Sequence, residues 1–296
     1  MQHITVLPSE AVEVLDLADN NIVVDATLGS GGHTRLIAKS LSKQGHLISC
    51  DLDSQAIEQA KEWIGSFEVP ITLVQQNFAD IDDVVHVHST GGVDAVLADL
   101  GWRIEQFYSG GRGFSFNSDD PLQMTFGDPA DYSITASDIV NEWAEQDLQN
   151  VLQGYGEEPF ARKIAKAIVT ARLIEPIVTA RQLAEIISGA VPAAQRHRRT
   201  HPATRSFQAL RIAVNDEFSV LETFITKATQ VLKPEGRLAI ISFHSLEDRI
   251  VKHRFRELAE AGIGTVITKK PIVASEEERQ QNPRARSAKL RAIKKL

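Results

Sequence analysis

The first hundred residues alternate short apolar runs with stretches whose apolar residues recur at helical spacing. Apolar residues at three- and four-residue spacing predict helices at Thr34–Leu41 and Gln55–Ile64. Four runs are too short for a helix and predict strands, namely Ile22–Asp25, His46–Asp51, Ile71–Gln75 and Val93–Asp99. Strands that alternate with helices in this way are typical of βαβ units around a mostly parallel sheet.

The pattern changes after Gly101. From Trp102 to Pro129 the chain shows neither period, which predicts a long ordered loop of the kind that often carries function. Helices are predicted beyond it at Ser137–Asn141, Glu145–Leu152, Pro159–Ala171 and Thr179–Ile187. We interpret this stretch as an inserted helical domain.

The sheet pattern returns in the last third of the chain. A long amphipathic helix is predicted for Phe207–Leu232, followed by a buried strand at Arg237–Phe243 and a helix at Leu246–Ala261. Thr265–Ala274 is predicted to form a last strand or a hairpin. The basic tail after Pro283 is predicted to be either a helix or an arm.

Composition narrows the class of protein. The 296 residues are 43% hydrophobic and 24% charged, which is typical of a globular protein with one large or two modest cores. The single cysteine, Cys50, excludes an internal disulfide and favours a reducing cytosol. The first ten residues lack a secretory leader, and no apolar run reaches 18 residues, so export and membrane spanning are disfavoured.

Charge is unevenly distributed, although the net charge of −7 argues against non-specific coating of DNA. Two segments contain basic residues and no acid: Gln195–Arg211 and the tail after Asn282. Each segment is either a solvated surface or a site that neutralises phosphates, and composition alone favours the solvated surface.

A glycine-rich turn follows the first predicted strand, with the sequence Gly29, Ser30, Gly31, Gly32, His33. Glycine lets the backbone approach a ligand closely, and the N-terminus of the following helix offers N–H groups to that ligand. The same turn also occurs where a helix merely packs on a sheet, so both interpretations are open at this point.

Neighbouring acids indicate which ligand the turn would take. Asp51 lies twenty positions after Gly31 at the end of the next predicted strand, where a carboxylate can bind both ribose hydroxyls. A nicotinamide dinucleotide site would require a third glycine where Thr34 stands. Asp25 favours a cationic ligand with an amino group over a pyrophosphate, because it would repel the latter. These features point to S-adenosylmethionine.

Open parallel sheets bind ligands outside the carboxyl ends of their strands. Asp25, Asp51, Phe78 and Asp99 are each predicted at or just past such an end, so we expect them to converge on one crevice. Phe78 is either a cover for an adenine face or a core residue.

Six motifs spread over nearly the whole chain resemble those of the RsmH (MraW) family. They are Asp25–Thr34, Arg112–Phe116, Tyr155–Glu158, His201–Arg205, Ser242–Arg249 and Asn282–Ser287. The resemblance implies methylation by S-adenosylmethionine of N4 of a decoding-centre cytosine, with 16S rRNA or the small ribosomal subunit as partner. It also implies an α/β, class I methyltransferase fold, which is a Rossmann-like, doubly wound, mostly parallel sheet with an inserted helical domain.

The resemblance further implies a division of the chain and a set of contacts. The expected parts are 1–108 as the first part of the methyltransferase domain, 109–205 as the helical substrate domain, and 206–296 as the second part with its basic tail. No metal site is expected, and both a monomer and a homodimer are possible. Carried over by motif, the cofactor contacts are Gly31, Gly32, His33, Asp51, Phe78, Asp99 and Gln106.

The chain departs from the family after Gly101, where the usual Val-Ser-Ser-Pro-Gln-Leu-Asp is replaced and Gln106 alone is retained. Two alternatives therefore stay open. The protein is either a related methyltransferase that acts on another RNA or a protein, or a cofactor-binding but inactive ribosome-assembly protein.

Methyl transfer depends chiefly on alignment of donor and acceptor, aided by a group that accepts a proton from the amine. Asp99 is the expected acceptor, and His244 is either a second candidate or a structural histidine. Phe114 and Phe116 are expected to form a small core under the long loop, because alternate positions of an extended segment share a side. The predicted RNA contacts are Arg196, Arg198, Arg199, Arg205, Arg284 and Arg286.

Overall fold

The computed structural model describes residues 4–100, 111–196 and 200–296. The chain divides into two compact units: unit 1 consists of residues 1–102 and 218–296, and unit 2 of residues 103–217. Within the described ranges, no helix is both long enough and apolar enough to cross a lipid bilayer. Two segments that are far apart in sequence therefore build unit 1, whereas unit 2 is continuous.

Unit 1 contains a seven-stranded sheet in the order β3-β2-β1-β4-β5-β7-β6. Strands β1 to β5 run parallel, and β7 is antiparallel to both of its neighbours. The strands are β1 (Ile22–Asp25), β2 (His46–Asp51), β3 (Ile71–Gln75), β4 (Val93–Asp99), β5 (Leu232–Ser242), β6 (Gly264–Val266) and β7 (Lys289–Lys295). Strands β1 to β4 have the predicted bounds, and the predicted class I, Rossmann-like α/β fold is confirmed.

Helices cover both faces of this sheet and also build unit 2. In chain order they are α1 (Pro8–Leu15), α2 (Gly32–Ser40), α3 (Ser54–Lys61), α4 (Ile81–His88), α5 (Ala136–Glu142), α6 (Glu145–Gly156), α7 (Ala161–Arg172), α8 (Ala180–Ala190), α9 (Ala193–Arg196), α10 (Thr204–Asn215), α11 (Glu217–Val231), α12 (Ser245–Glu260) and α13 (Glu276–Gln281). One core joins the sheet to α4, α11 and α12, and a second joins its other face to α1 and α2. The doubly wound arrangement buries the sheet on both sides.

The prediction of one helix over Phe207–Leu232 is wrong. Asp216 adopts the left-handed conformation, with φ of 46°, and ends α10, so a second helix starts at Glu217. Arg211 reinforces the break, because its guanidinium binds both carboxylate oxygens of Glu217 at 2.6 and 2.8 Å. Strand β5 then begins at Leu232, earlier than predicted, with a register shift before Arg237 pairs with β4.

The prediction that the basic tail forms a helix or an arm is also wrong, because its last residues form β7 inside the sheet. Leu290 and Ala292 are completely buried there. Two of the basic residues are paired with one acid: Arg291 Nε lies 2.6 Å and Lys289 Nζ 3.0 Å from the carboxylate of Asp248. Burial alone would raise the pKa of Asp248, but these two cations outweigh it and lower that pKa.

In unit 2, residues 111–127 form no helix or strand but are held by hydrogen bonds, as an ordered loop requires, whereas 102–110 of the predicted loop lie outside the described residues. The Arg112 guanidinium donates to the carbonyl oxygens of Phe126 and Gly127, and Phe126 N donates to Asn215 Oδ1. Helix α10 packs against α6, which places it in unit 2. The boundary of the unit therefore falls after residue 217, whereas the sequence suggested 205.

The close approach of α6 and α10 is a test of this packing, because α6 contains two glycines in different surroundings. A Cβ added at Gly156 would lie 2.6 Å from the Arg205 carbonyl oxygen, whereas one added at Gly154 would meet nothing within 4 Å. We expect Gly156→Ala to lower the free energy of unfolding by about 1 to 3 kcal/mol through overpacking.

The matched variant Gly154→Ala is expected to leave the free energy of unfolding unchanged or to raise it by up to about 1 kcal/mol, because alanine favours helix. Urea unfolding of both variants measures the difference. Equal stability of the two variants would contradict the close helix contact.

Candidate functional site

Three acids end three adjacent strands at one edge of the sheet: Asp25 ends β1, Asp51 ends β2 and Asp99 ends β4. In the pairing register, Asp25 lies opposite Ser49 on one side and Leu97 on the other. Strand β1 therefore stops two residues before both of its neighbours, or about 7 Å earlier. The chain leaves β1 into a notch with Asp51 on one flank and Asp99 on the other.

The glycine-rich turn occupies this notch. Gly31 is the N-cap of α2 with φ of 78°, a conformation that favours glycine, and the helix receives no side-chain cap there. A Cβ at Gly31 would lie 2.3 Å from the Trp63 ring, and one at Gly32 would lie 1.9 Å from Thr5 Oγ1. The glycines are therefore required by the protein's own packing as well as being suited to a ligand. Trp63 and Thr5 could not be predicted as neighbours of the turn, because nothing in their local patterns marks them as such.

The Asp51 carboxylate links the glycine-rich turn to the end of β2. Its Oδ2 accepts a hydrogen bond from Gly29 N at 2.8 Å, and its Oδ1 accepts one from Asp53 N at 2.9 Å. A carboxylate offers about four lone-pair sites and only accepts hydrogen bonds, which suits it to the hydroxyls of a sugar. The side chain is only partly buried. Its position at the end of β2 is the predicted one, and its contact with ribose stays a prediction.

Asp25 was expected to face a cationic ligand, but its side chain is 0% exposed and points into the protein interior. Its Oδ2 accepts from Thr34 Oγ1 at 2.6 Å, and its Oδ1 accepts from Thr27 N at 3.2 Å. Burial raises the pKa of Asp25 to about 6, although the bond from Thr34 and the nearby His33 act in the opposite direction. Asp25 therefore links Thr27, at the start of the turn, to Thr34 in the first turn of α2.

His33 and Asp99 form the other flank of the notch. The His33 ring is buried, with Nε2 2.9 Å from the Val6 carbonyl oxygen and Nδ1 3.6 Å from Asp99 Oδ2. Because a carbonyl can only accept, Nε2 carries the proton. The Asp99 side chain is 18% exposed, and its backbone N donates to Thr27 Oγ1 at 2.7 Å. A contact between His33 and a cofactor would therefore come from its backbone N–H.

Phe78 lies just after β3, at the start of a short turn of helix. Its ring meets Phe224 edge to face, with centroids 5.1 Å apart, and it packs partly against the core while remaining half-buried. This packing agrees with the interpretation of Phe78 as a core residue, and its contact with an adenine stays a prediction. Gln106, the remaining predicted cofactor residue, lies outside the described residues.

His244 has a structural role in unit 1. It is the N-cap of α12, and its Nδ1 accepts a hydrogen bond from Glu247 N at 3.3 Å. The Glu247 carboxylate in turn accepts from the backbone N of Phe243 and of His244. This reciprocal capping box accounts for the spacing of His244 and Glu247 in the sequence. A catalytic role of His244 stays a prediction.

The predicted RNA-binding arginines lie in both units. In unit 2, the Arg196 guanidinium donates to the carbonyls of Val191 and Gly189, and the exposed Arg205 donates to the Glu157 carbonyl. In unit 1, Arg284 lies 6.0 Å from the Phe243 ring centroid, and Arg286 is exposed. Arg198 and Arg199 lie outside the described residues.

The aromatic residues of the long loop pack within unit 2. Phe114 is buried and stacks with Phe126, at a centroid distance of 6.0 Å. Phe116 stacks on His201 at 4.2 Å and meets Phe207 edge to face. These contacts agree with the expectation of a small core beneath the loop.

Known proteins resemble this chain over its whole length. A family model described as the MraW methylase family matches residues 1–296. A protein of Brevibacillus brevis named ribosomal RNA small subunit methyltransferase H is 45% identical and covers 99% of this chain and 98% of its own length. A Paenibacillus protein of the same name is 43% identical, with coverages of 100% and 99%. Among solved structures, an rRNA methylase of Streptococcus thermophilus aligns with a TM-score of 0.45 at 14% identity, covering 97% of this chain and 93% of that one.

The buried acid beneath the turn predicts a specific pH dependence. Because the pKa of Asp25 is about 6 in the folded chain, against 3.8 for an unperturbed aspartate, the folded state holds its proton more tightly. This group therefore contributes stability at low pH that is lost as the pH rises through 6. Asp25→Asn lacks the titrating proton but keeps an acceptor oxygen.

We expect the free energy of unfolding of the wild type, minus that of Asp25→Asn, to fall by about 2 to 3 kcal/mol between pH 4 and pH 7. Urea unfolding of both proteins at the two pH values measures this difference, in which the titration of all other groups cancels. A difference that does not change with pH would show that Asp25 is not buried as described.

Proposed function

Because this chain belongs to the MraW methylase family, we propose that it transfers a methyl group from S-adenosylmethionine to a cytosine of 16S rRNA. The proposed acceptor atom is N4 of the decoding-centre cytosine, cytosine 1402 in the usual numbering. The observation that carries the proposal is the notch at the end of β1. There the uncapped N-terminus of α2 lies between the carboxylates of Asp51 and Asp99.

The residues of the notch fit the cofactor. S-adenosylmethionine, when bound, supplies a methyl group activated by a positively charged sulfonium. Asp51 is proposed to bind the ribose hydroxyls, and the backbone of Gly31, Gly32 and His33 to contact the cofactor through the first turn of α2. Phe78 is proposed to cover the adenine face. Gln106 is retained as a proposed contact on the strength of its motif.

Asp99 is proposed as the group that assists the acceptor amine. N4 of cytosine is conjugated with its ring and is a poor nucleophile, so an acceptor that draws one of its protons concentrates the lone pair on nitrogen. One amine proton must leave when N4 gains a methyl group, and a carboxylate can take it. Asp99 is positioned for this by the bond from its backbone N to Thr27 Oγ1.

His33 would act on this chemistry through Asp99. Its Nε2 is committed to the Val6 carbonyl, and its Nδ1 lies 3.6 Å from Asp99 Oδ2, so the buried ring limits the positions that the Asp99 side chain can take. His33 is therefore a positioning residue, and Asp99 is the proposed catalytic one.

The target cytosine must leave any stacked or paired arrangement before N4 can reach the notch, which costs a few kcal/mol. Contacts with the RNA backbone would offset this cost. The exposed Arg205 and Arg286 are proposed to supply such contacts in their respective units, with Arg196, Arg198, Arg199 and Arg284 as further candidates.

The proposed reaction is tested with labelled S-adenosylmethionine and small ribosomal subunits that lack the modification. We expect label in N4-methylcytidine after nuclease digestion, and no label when Asp99→Asn replaces the wild type at a cofactor concentration that saturates the variant. Label in another RNA or in protein would support a related methyltransferase instead. Cofactor binding by the wild type without any transfer would support an inactive assembly protein.

The assignment of Asp51 is tested by cofactor affinity. Asp51→Ala is expected to weaken binding of S-adenosylmethionine by about 1.5 to 3 kcal/mol, because hydrogen bonds to a charged group are removed. Isothermal titration calorimetry measures the change.

The matched control is Asp53→Ala in the same loop, which removes the acceptor for Gln55 N at the N-cap of α3. This variant is expected to lose about 1 kcal/mol of stability and to bind the cofactor as the wild type does. Equal affinities of the two variants would refute the ribose assignment.

A further inference from the structure

A second concave surface lies in unit 1, between α12 and the chain that follows β6. We name it the α12 pocket. Its volume is about 330 Å³, at the lower end of the range for small-molecule sites. Its lining includes Lys252, Phe255, Arg256, Val266, Thr268 and Lys269.

The α12 pocket opens near the same edge of the sheet as the notch. Strand β6 is antiparallel to β7, which is antiparallel to β5, so β6 runs toward that edge and ends at Val266, level with Val96 and three residues before Asp99. Arg291, which also lines the pocket, pairs with Ile240, one residue before the partner of Asp99. From β4 to β6 there are three strand spacings, or roughly 14 Å.

The pocket carries uncompensated positive charge. Lys252 and Arg256 are one turn apart on α12, and they and Lys269 are exposed. Among the residues that the structure describes, none forms an ion pair with these three side chains. Arg291, by contrast, is neutralised by Asp248. Three such cations around one pocket, in a chain of net charge −7, point to an anionic ligand.

The interior of the pocket is suited to more than a simple anion. Val266 contributes partly exposed apolar surface above the buried Phe255 ring, and the aliphatic stems of Lys252 and Lys269 extend it. Thr268 Oγ1 accepts a hydrogen bond from Ala292 N at 2.9 Å, which leaves the hydroxyl proton to be donated. An apolar interior beneath a cationic rim matches a nucleotide, with its flat base and its charged phosphate.

We propose that the α12 pocket binds a nucleotide of the substrate RNA strand, a few positions along the chain from the cytosine that enters the notch. Lys252, Arg256 and Lys269 contact its phosphates, and the base or sugar lies on Val266 and the aliphatic stems of the two lysines. This inference rests on the proposed function, because it takes RNA as the substrate. The pocket fixes the direction in which the strand crosses the edge of the sheet.

The test compares two double variants that remove the same charge at opposite edges of the sheet. Lys252→Ala/Arg256→Ala alters the pocket, and Lys39→Ala/Lys43→Ala alters the exposed end of α2 and its loop before β2. Binding of a single-stranded RNA oligonucleotide with the decoding-centre sequence is measured at several salt concentrations. Urea unfolding shows that both variants fold.

We expect the pocket variant to bind the oligonucleotide more weakly, with a plot of log K against log salt that is shallower by about 1.4, or about 0.7 for each phosphate that is no longer neutralised. The α2 variant should keep the wild-type slope. Affinity for S-adenosylmethionine should be unchanged in both. Lys252→Arg/Arg256→Lys, which retains the charge, should restore the slope.

The outcomes separate the two proposals. If the wild type methylates small subunits but the pocket variant keeps its slope, the pocket proposal fails alone. If the wild type transfers no methyl group but the slope changes as expected, the proposed reaction fails and the pocket stands. Equal losses in both double variants, or no binding of the oligonucleotide at low salt, would overturn the pocket proposal.

Discussion

The hydrogen bond from Gly29 N to the Asp51 carboxylate is the contact on which the candidate site depends. It ties a flexible glycine turn to the end of a rigid parallel strand, so that the first turn of α2 starts at a fixed place. The register of the sheet supports it, because β1 ends two residues before β2 and leaves space for the turn. Without this early end, the glycines would have no notch to fill.

A second constraint acts from beneath the turn. Asp25 is fully buried, yet its carboxyl group accepts bonds from Thr34 and from Thr27 N, so it links the strand end to the helix start. Burying a carboxylate is costly even when it is hydrogen-bonded, and the pKa of Asp25 is raised to about 6 as a result. Asp25 therefore stabilises the turn through its hydrogen bonds, whereas the burial of its charged form at neutral pH opposes folding.

The local pattern of apolar and polar residues was sufficient to predict the parallel strands β1 to β4. Strands β1 to β4 are short apolar runs bounded by turn residues, and a parallel sheet buries such runs on both faces. Their order along the chain was also enough to predict Asp51 and Asp99 at one edge of the sheet. The notch could therefore be predicted from the sequence, because the glycine-rich turn follows one predicted strand and the acids end its neighbours.

The other features of the fold depend on contacts between residues that are distant in sequence, and these could not be predicted. Strand β7 looks like a charged tail, and only the pairing of Arg291 with Asp248 and of its backbone with β5 makes it a strand. The helix break at Asp216 depends on one residue in the left-handed conformation, and because this residue is not a glycine the sequence does not indicate the break. Trp63 and Thr5 touch the glycine turn from separate parts of the chain. No periodicity in a single sequence encodes such meetings.

The position of β7 also has a consequence for biosynthesis. Unit 2 is one continuous stretch, so it can fold while the ribosome is still making the remainder of the chain. Unit 1 cannot, because β7 pairs between β5 and β6 and is made after both. Until β7 emerges, both strands expose unpaired edges of the kind that recruit other chains. Nascent molecules of this protein therefore pass through an interval in which chaperone capture competes with aggregation.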